Sequence, residues 1–234
     1  MKRMFTTLLP IGLSAAIAVA AIAPTSAYAF AARSPLVGVG GVSLQNYLNG
    51  VGESINVAND QLDGQVWTTS VSGNSTFTLM IELAGNAASN AIGVYNSNAG
   101  ATPTLFQMFP GAATAGWYCT AHFGSGNLSV ALFDNGGVFQ GSSNYVGVTA
   151  NGFGFYLDGP GGLFYSQDYR NPGGNAQILT YAGTGVNFGD WWQCFDDQPY
   201  TAGDHDFEDA VLLLQSVVPT PAHSQTWGSV KTRF

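Results

Sequence analysis

Hydrophobic and polar residues alternate along much of this chain, and the alternation has a period of two. From Thr76 to Leu83, Phe77, Leu79, Ile81 and Leu83 fall on one side and Thr78, Met80 and Glu82 on the other, as in a strand with one face on a core. Ala91 to Tyr95 is a second apolar run, stopped by Asn96-Ser97-Asn98. Leu128 to Phe133 ends at Asp134-Asn135-Gly136-Gly137, whose Asn-Gly step is a hairpin signal. Phe153 to Leu157 runs into Asp158-Gly159-Pro160-Gly161-Gly162, and Leu163-Phe164-Tyr165 follows. Gln177 to Tyr181 and Ala210 to Val218 complete the set, the last as the final strand. Thirty-one glycines, with many Asn and Ser, punctuate these runs, and short strands at such spacing predict an all-β fold, an antiparallel β-sandwich of jelly-roll-like form. Helix is predicted from Ser43 to Asn49 with Ser43 as its cap, while Leu105 to Phe109 fits helix or strand.

The first 29 residues follow another pattern. Lys2 and Arg3 precede an apolar, charge-free run from Leu8 to Ala23, then Pro24 and the small-x-small triplet Ala27-Tyr28-Ala29. That order reads as a secretory signal peptide cleaved before Phe30, with Ala29-Phe30-Ala31 allowing a cut before Ala32. The expected organisation is a signal peptide over residues 1–29, one sandwich domain over 30–218, and an extended tail over 219–234. In that tail Pro219 and Pro221 work against a continuing strand. No later apolar run reaches the length of a membrane span, so the mature chain is expected to carry none.

Charge narrows the partners. Without Lys2 and Arg3, four basic side chains stand against fourteen acidic ones. Phosphate backbones and anionic membranes would repel such a chain, which argues against nucleic acid, whereas a divalent cation is favoured. Fifteen Phe, ten Tyr and five Trp provide ample apolar area, so the low charge content does not signal disorder. Two cysteines, Cys119 and Cys194, in an exported chain lead us to expect a disulfide, two separate buried thiols being the alternative. Neither has the C-x-x-C spacing of a zinc or redox site.

The candidate chemistry is concentrated near the end of the strand region. Seven of the fourteen carboxylates lie between Asp190 and Asp209. The densest stretch is Gly203-Asp204-His205-Asp206-Phe207-Glu208-Asp209. Acids at i, i+2 and i+4 of a curled loop can turn their oxygens to one centre, as calcium requires, and a cation would relieve their repulsion. The loop is no EF-hand, because its sixth position is Asp209 rather than Gly and its twelfth is Gln215 rather than Glu. A solvated acidic turn is the simpler alternative. Asp197 extends the expected metal set. Glu82 is either a solvent-facing strand residue or a remote ligand brought in by folding.

Three segments share a further likeness: Met80 to Gly85 with Asn90 to Tyr95, Phe153 to Leu157 with Leu163 to Ser166, and Phe195-Asp196-Asp197 leading into Gly203 to Asp209. Together they resemble the bacterial extracellular domain catalogued as domain of unknown function 4114, found on secreted and adhesin-like proteins. The resemblance implies a β-rich domain with a calcium loop in which Asp204, Asp206 and Asp209 match the motif acids. Glu208 stands where that family usually has Asn, still an oxygen ligand. Some relatives end in a Pro-Glu-Pro sorting tail with an apolar span. Here Pro219-Thr220-Pro221 is followed by thirteen residues without one, so sorting of that kind is not expected.

Motifs of catalysis are scarce. The chain contains no G-x-S-x-G, H-E-x-x-H or G-x-x-x-x-G-K-[ST]. The expected function is therefore a secreted or cell-surface calcium-binding domain, non-catalytic, acting in adhesion or in glycan or matrix binding. Trp191, Trp192 and Tyr200 beside the acids are the expected ligand-stacking faces, with core packing as the bland alternative. A self-assembling matrix or outer-layer protein is the second reading, and a secreted carbohydrate-active hydrolase the third.

Overall fold

The computed structural model describes Pro35 and residues 43–70, 73–82 and 87–220. The expected signal peptide and nearly all of the expected tail, including His223, Trp227, Lys231 and Arg233, lie outside the described residues.

The alternating segments form two antiparallel sheets packed face to face. In chain order the strands are β1 (Trp67–Thr69), β2 (Asn74–Glu82), β3 (Ala91–Asn96), β4 (Leu105–Phe109), β5 (Tyr118–Phe123) and β6 (Asn127–Phe133). They continue as β7 (Phe139–Val146), β8 (Asn151–Gly159), β9 (Gly162–Tyr165), β10 (Ile178–Ala182), β11 (Trp191–Phe195), β12 (Ala210–Gln215) and β13 (Val217–Pro219). One sheet runs β13-β1-β8-β3-β4, with β9 also paired to β8, and the other runs β10-β11-β12-β2-β5-β6-β7. Between them lies an aromatic core that includes Trp67, Phe77, Phe153, Phe155, Phe164 and Phe195. Each such side chain contributes on the order of 1.5–3 kcal/mol of burial free energy.

Half of the seven-stranded sheet carries a second core on its outer side. The helix α1 (Leu44–Gly50) and the segment after it place Leu44, Leu48, Ile55 and Val57 over Leu179, Tyr181, Trp192, Cys194 and Val211. Glu53 fastens this cover: its buried carboxylate accepts hydrogen bonds from Thr184 and Asn187. Strands covered on both faces lose their polar alternation, which explains why residues 210–214 are a continuous apolar run and why Trp191–Phe195 is apolar at every position but Gln193. Ser43 occupies the N-cap position of α1 without making the expected side-chain cap bond.

One further expectation about the strands needs correction, and one left open is settled. The run from Ala210 to Val218 is not one strand. Ser216 adopts a φ of 61°, and that left-handed residue breaks the extended chain. It passes the chain from β12 in one sheet to β13 in the other, where Pro219 pairs with Trp67 at a sheet edge. Leu105–Phe109, which fitted either element, is strand β4.

The expected disulfide is absent: Cys119 and Cys194 are both free and buried. They sit in one sheet with β12 and β2 between their strands, three spacings of about 4.8 Å each. Cys119 faces the core between the sheets and Cys194 the outer core. Opposite faces and a separation near 14 Å exceed the ~7 Å reach of a disulfide. Burial pushes both thiols well above the ordinary range. Thiol titration of the oxidised protein is expected to count two reactive groups in denaturant and none in native buffer. A mass lower by two hydrogens would overturn this.

Candidate metal centre

Phe195 and Ala210 are paired neighbours on β11 and β12, so residues 196–209 leave the sheet and return to it at one place. The excursion curls because His205 and Phe207 have φ of 61° and 59°. Such non-glycine left-handed residues cost on the order of 1–3 kcal/mol each and persist only where surroundings fix them. Phe207 supplies one such fixing point, since its ring is fully buried in the outer core. The tip that joins β8 to β9 presses on the other side. A Cβ on Gly161 would fall 1.9 Å from the carbonyl oxygen of Asp197, and one on Gly159 would fall 2.1 Å from Asn90 Oδ1. Gly203 is similarly flat against Asp196 Oδ1.

This packing gathers the carboxylates. Asp196, Asp204 and Asp209 each offer an oxygen, and the three atoms lie within 4.8 Å of one another. That is twice a calcium–oxygen distance of about 2.4 Å, the widest separation two ligands of one ion can have. Asp196 and Asp209 form a floor at 0% and 9% exposure, while Asp204 stands at the open side. Asp197 positions the floor: its amide donates to Asp209 Oδ2 at 2.8 Å, and its carboxylate accepts from Asn90 Nδ2 at 2.9 Å. The amide of Gln198 donates to Asp196 Oδ1 at 3.1 Å, and that of Glu208 to Asp206 Oδ1 at 3.3 Å. The remaining Asp196 Oδ2 and Glu208 Oε2 are buried with no hydrogen-bond partner among the described residues. Asn90 Oδ1 is in the same condition. His205 Nδ1 stands 3.7 Å from Asp196 Oδ2, too far for a hydrogen bond.

Burial with like charge disfavours ionisation here. Burial, reinforced by Asp204, Asp206 and Asp197, pushes Asp196 up to about 7. Burial with Asp206 and Asp204 pushes Glu208 up to about 7, and burial with Asp197, Asp206 and Asp196 pushes Asp209 up to about 8. Asp206 is raised as well, by burial and by the Asp204 and Asp197 charges. An ion with six to eight oxygen ligands fits a set so rich in carboxylate, and a zinc site of imidazole and thiolate does not.

Of the residues expected from sequence, Asp204, Asp206, Glu208, Asp209 and Asp197 come together. Asp196 joins this cluster and was left out of the expected set. Its position beside Asp197, within the same acidic run, was the available signal. Asp190 lies at the far end of β11 and accepts a hydrogen bond from Gln215. Glu82 closes β2 in register with Ala210, next to Asp209 in the chain. The stacking face does not form. Trp192 is fully buried, Trp191 packs edge-on against Trp67 at 5.9 Å, and Tyr200 lies on His205 at 4.2 Å. The core between the sheets claims the Trp191 ring, and the outer core beneath α1 claims that of Trp192. No protein-family model and no curated protein matches the chain.

Proposed function

We propose that this protein is an exported calcium-binding domain that acts by binding at a surface or matrix, with no catalytic step of its own. The observation that carries the metal reading is the buried, unpartnered Asp196 Oδ2 in the cluster that Asp196 forms with Asp204 and Asp209. Leaving such an atom without a partner costs on the order of 1–3 kcal/mol, more when charged. A cation held by Asp196, Asp204 and Asp209 removes that cost and locks the 196–209 loop to the end of the sandwich. Calcium suits an all-carboxylate set better than magnesium, which keeps much of its water. The N-terminal sequence and the resemblance to extracellular domains support action where calcium is plentiful.

Thermal melting of the mature chain tests the reading. At a calcium concentration one hundred times its Kd, stability rises by about 2.7 kcal/mol, which lifts the midpoint by roughly 5–10 °C in a domain of this size. Asp196→Asn abolishes the rise, and magnesium gives a small fraction of it. Superimposable curves in calcium and in chelator, at every pH between about 5 and 8, would sink the metal reading.

A further inference from the structure

The cover formed by α1 and the segment after it stops at β12 and the edge of β2. Beyond it, the outer face of β2, β5, β6 and β7 is a groove of about 580 Å³, within the usual range of ligand sites. Strand pairing sets its side chains in transverse rows. Asn74, His122, Ser129 and Asn144 are successive cross-strand partners. One step along, Thr76, Thr120, Ala131 and Ser142 are partners in the same way. The next row is aromatic. Tyr118 and Phe133 stack at 5.0 Å with planes 12° apart, and Phe139 meets Phe133 edge-on at 5.8 Å. Phe139 is 57% exposed. Rows lie about 6.8 Å apart along the strands and the strands about 4.8 Å apart.

We propose that this face binds a neutral polysaccharide lying across β2, β5, β6 and β7. The amides and hydroxyls of the two polar rows both donate and accept, as sugar hydroxyls do. They are partly ordered beforehand: His122 Nδ1 bonds Asn74 Oδ1 at 2.6 Å and Ser129 Oγ donates to Asn144 Oδ1 at 2.7 Å. The groove is lined without carboxylate, lysine or arginine, so no fixed charge in it recognises a charged polymer, and an acidic chain repels anionic glycans. The exposed Phe139 edge of the aromatic row offers a face to the apolar side of a sugar ring. An extended peptide would add to a sheet edge instead of lying across its face. The proposal rests on the reading of the chain as an exported binding domain, and it does not require the metal.

Affinity electrophoresis of the mature chain in gels cast with neutral glucan, mannan, galactan or xylan tests it, with alginate and polygalacturonate as anionic controls. Retardation is expected in at least one neutral gel and in neither anionic one. Thr120→Arg and Ser142→Arg, each at an exposed position, are expected to weaken that retardation at least tenfold while leaving the melting midpoint unchanged. Tyr118→Ala is expected to weaken it severalfold. Asp196→Asn, which removes the calcium response, is expected to keep retardation, so the two sites fail separately. The proposal is overturned if no neutral polymer retards the protein, or if both arginine variants bind like the parent. It is overturned equally if sedimentation shows a dimer that Thr120→Arg dissociates, since the face would then be a contact between two copies.

Discussion

Taking the metal-free protein from about pH 5.5 to about pH 7.5 is expected to lower its melting midpoint by roughly 5–10 °C, and calcium is expected to cancel the loss. The direction follows from the three carboxyls raised to about 7 or 8, Asp196, Glu208 and Asp209. A group whose folded pKa is raised holds its proton more tightly in the fold than in the unfolded chain. Its stabilising contribution is complete below the ordinary carboxylate pKa and is lost as pH rises through the folded value. Each proton held by the folded state but already lost from the unfolded chain costs about 1.4 kcal/mol of stability per pH unit. One proton over two units is thus about 2.7 kcal/mol, and with three groups raised that figure is a floor. Calcium binds the ionised form, so the same rise in pH strengthens the complex. Glu53 behaves in the opposite sense. Burial works against its ionisation, but hydrogen bonds from Thr184 and Asn187 outweigh it and hold its carboxyl below the ordinary range. Its contribution is present at neutral pH and is lost only as pH falls through that lowered value, outside the window of the cluster. Asp209→Asn is expected to flatten the metal-free slope. Melting midpoints that climb steadily from pH 5.5 to 7.5 in chelator would contradict the electrostatic account.

The sheets were legible because their signal is local. Phe77 and Leu79 keep their period-two spacing, and Asp134 closes the β6–β7 hairpin as its sequence predicts, its carboxylate accepting from the amides of Gly136 and Val138 at 2.9 Å each. Trp67–Thr69, Tyr118–Phe123, Phe139–Val146 and Trp191–Phe195 escaped notice; the first is three residues long, and Phe139–Val146 is an edge strand whose exposed, polar composition carries little apolar period. The break at Ser216 depends on which sheet each half can pair with, and no neighbouring residue announces it. The acidic loop was visible as a charge run. Which acids meet was not, because Asp196 is held by β11 and Asp209 by β12, and their meeting is a consequence of strand pairing. The same non-local information decided the cysteines. Two thiols in a chain expected to be exported satisfy a rule of compartment, but opposite faces of one sheet satisfy no rule of geometry. The groove on β2, β5, β6 and β7 was invisible for a related reason. Asn74, His122, Ser129 and Asn144 are scattered in sequence and become one row only when four strands are in register.

Phe207→Ala is expected to destabilise the protein by about 3–5 kcal/mol and to weaken calcium binding at least tenfold. The ring is fully buried in the outer core with Leu44, Trp192 and Val211, so its removal leaves a large cavity beneath the cover. Yet its φ of 59° is one that a side chain with a Cβ resists. Phe207→Gly creates a similar cavity but removes that resistance, worth about 1 kcal/mol or more. In urea unfolding with chelator, the glycine variant is therefore expected to be the more stable of the two, the reverse of the usual order inside a folded chain. Both variants are expected to lose calcium affinity, because Asp206 and Glu208 flank the anchor and neither has another tether to the outer core of comparable size. Glycine is expected to lose more, since it leaves the loop with greater freedom to surrender on binding. An alanine variant as stable as the parent would mean that Phe207 does not hold the loop. An alanine variant more stable than glycine would mean that the left-handed turn carries no strain, and the curl that brings Asp204, Asp206 and Glu208 together would need another cause.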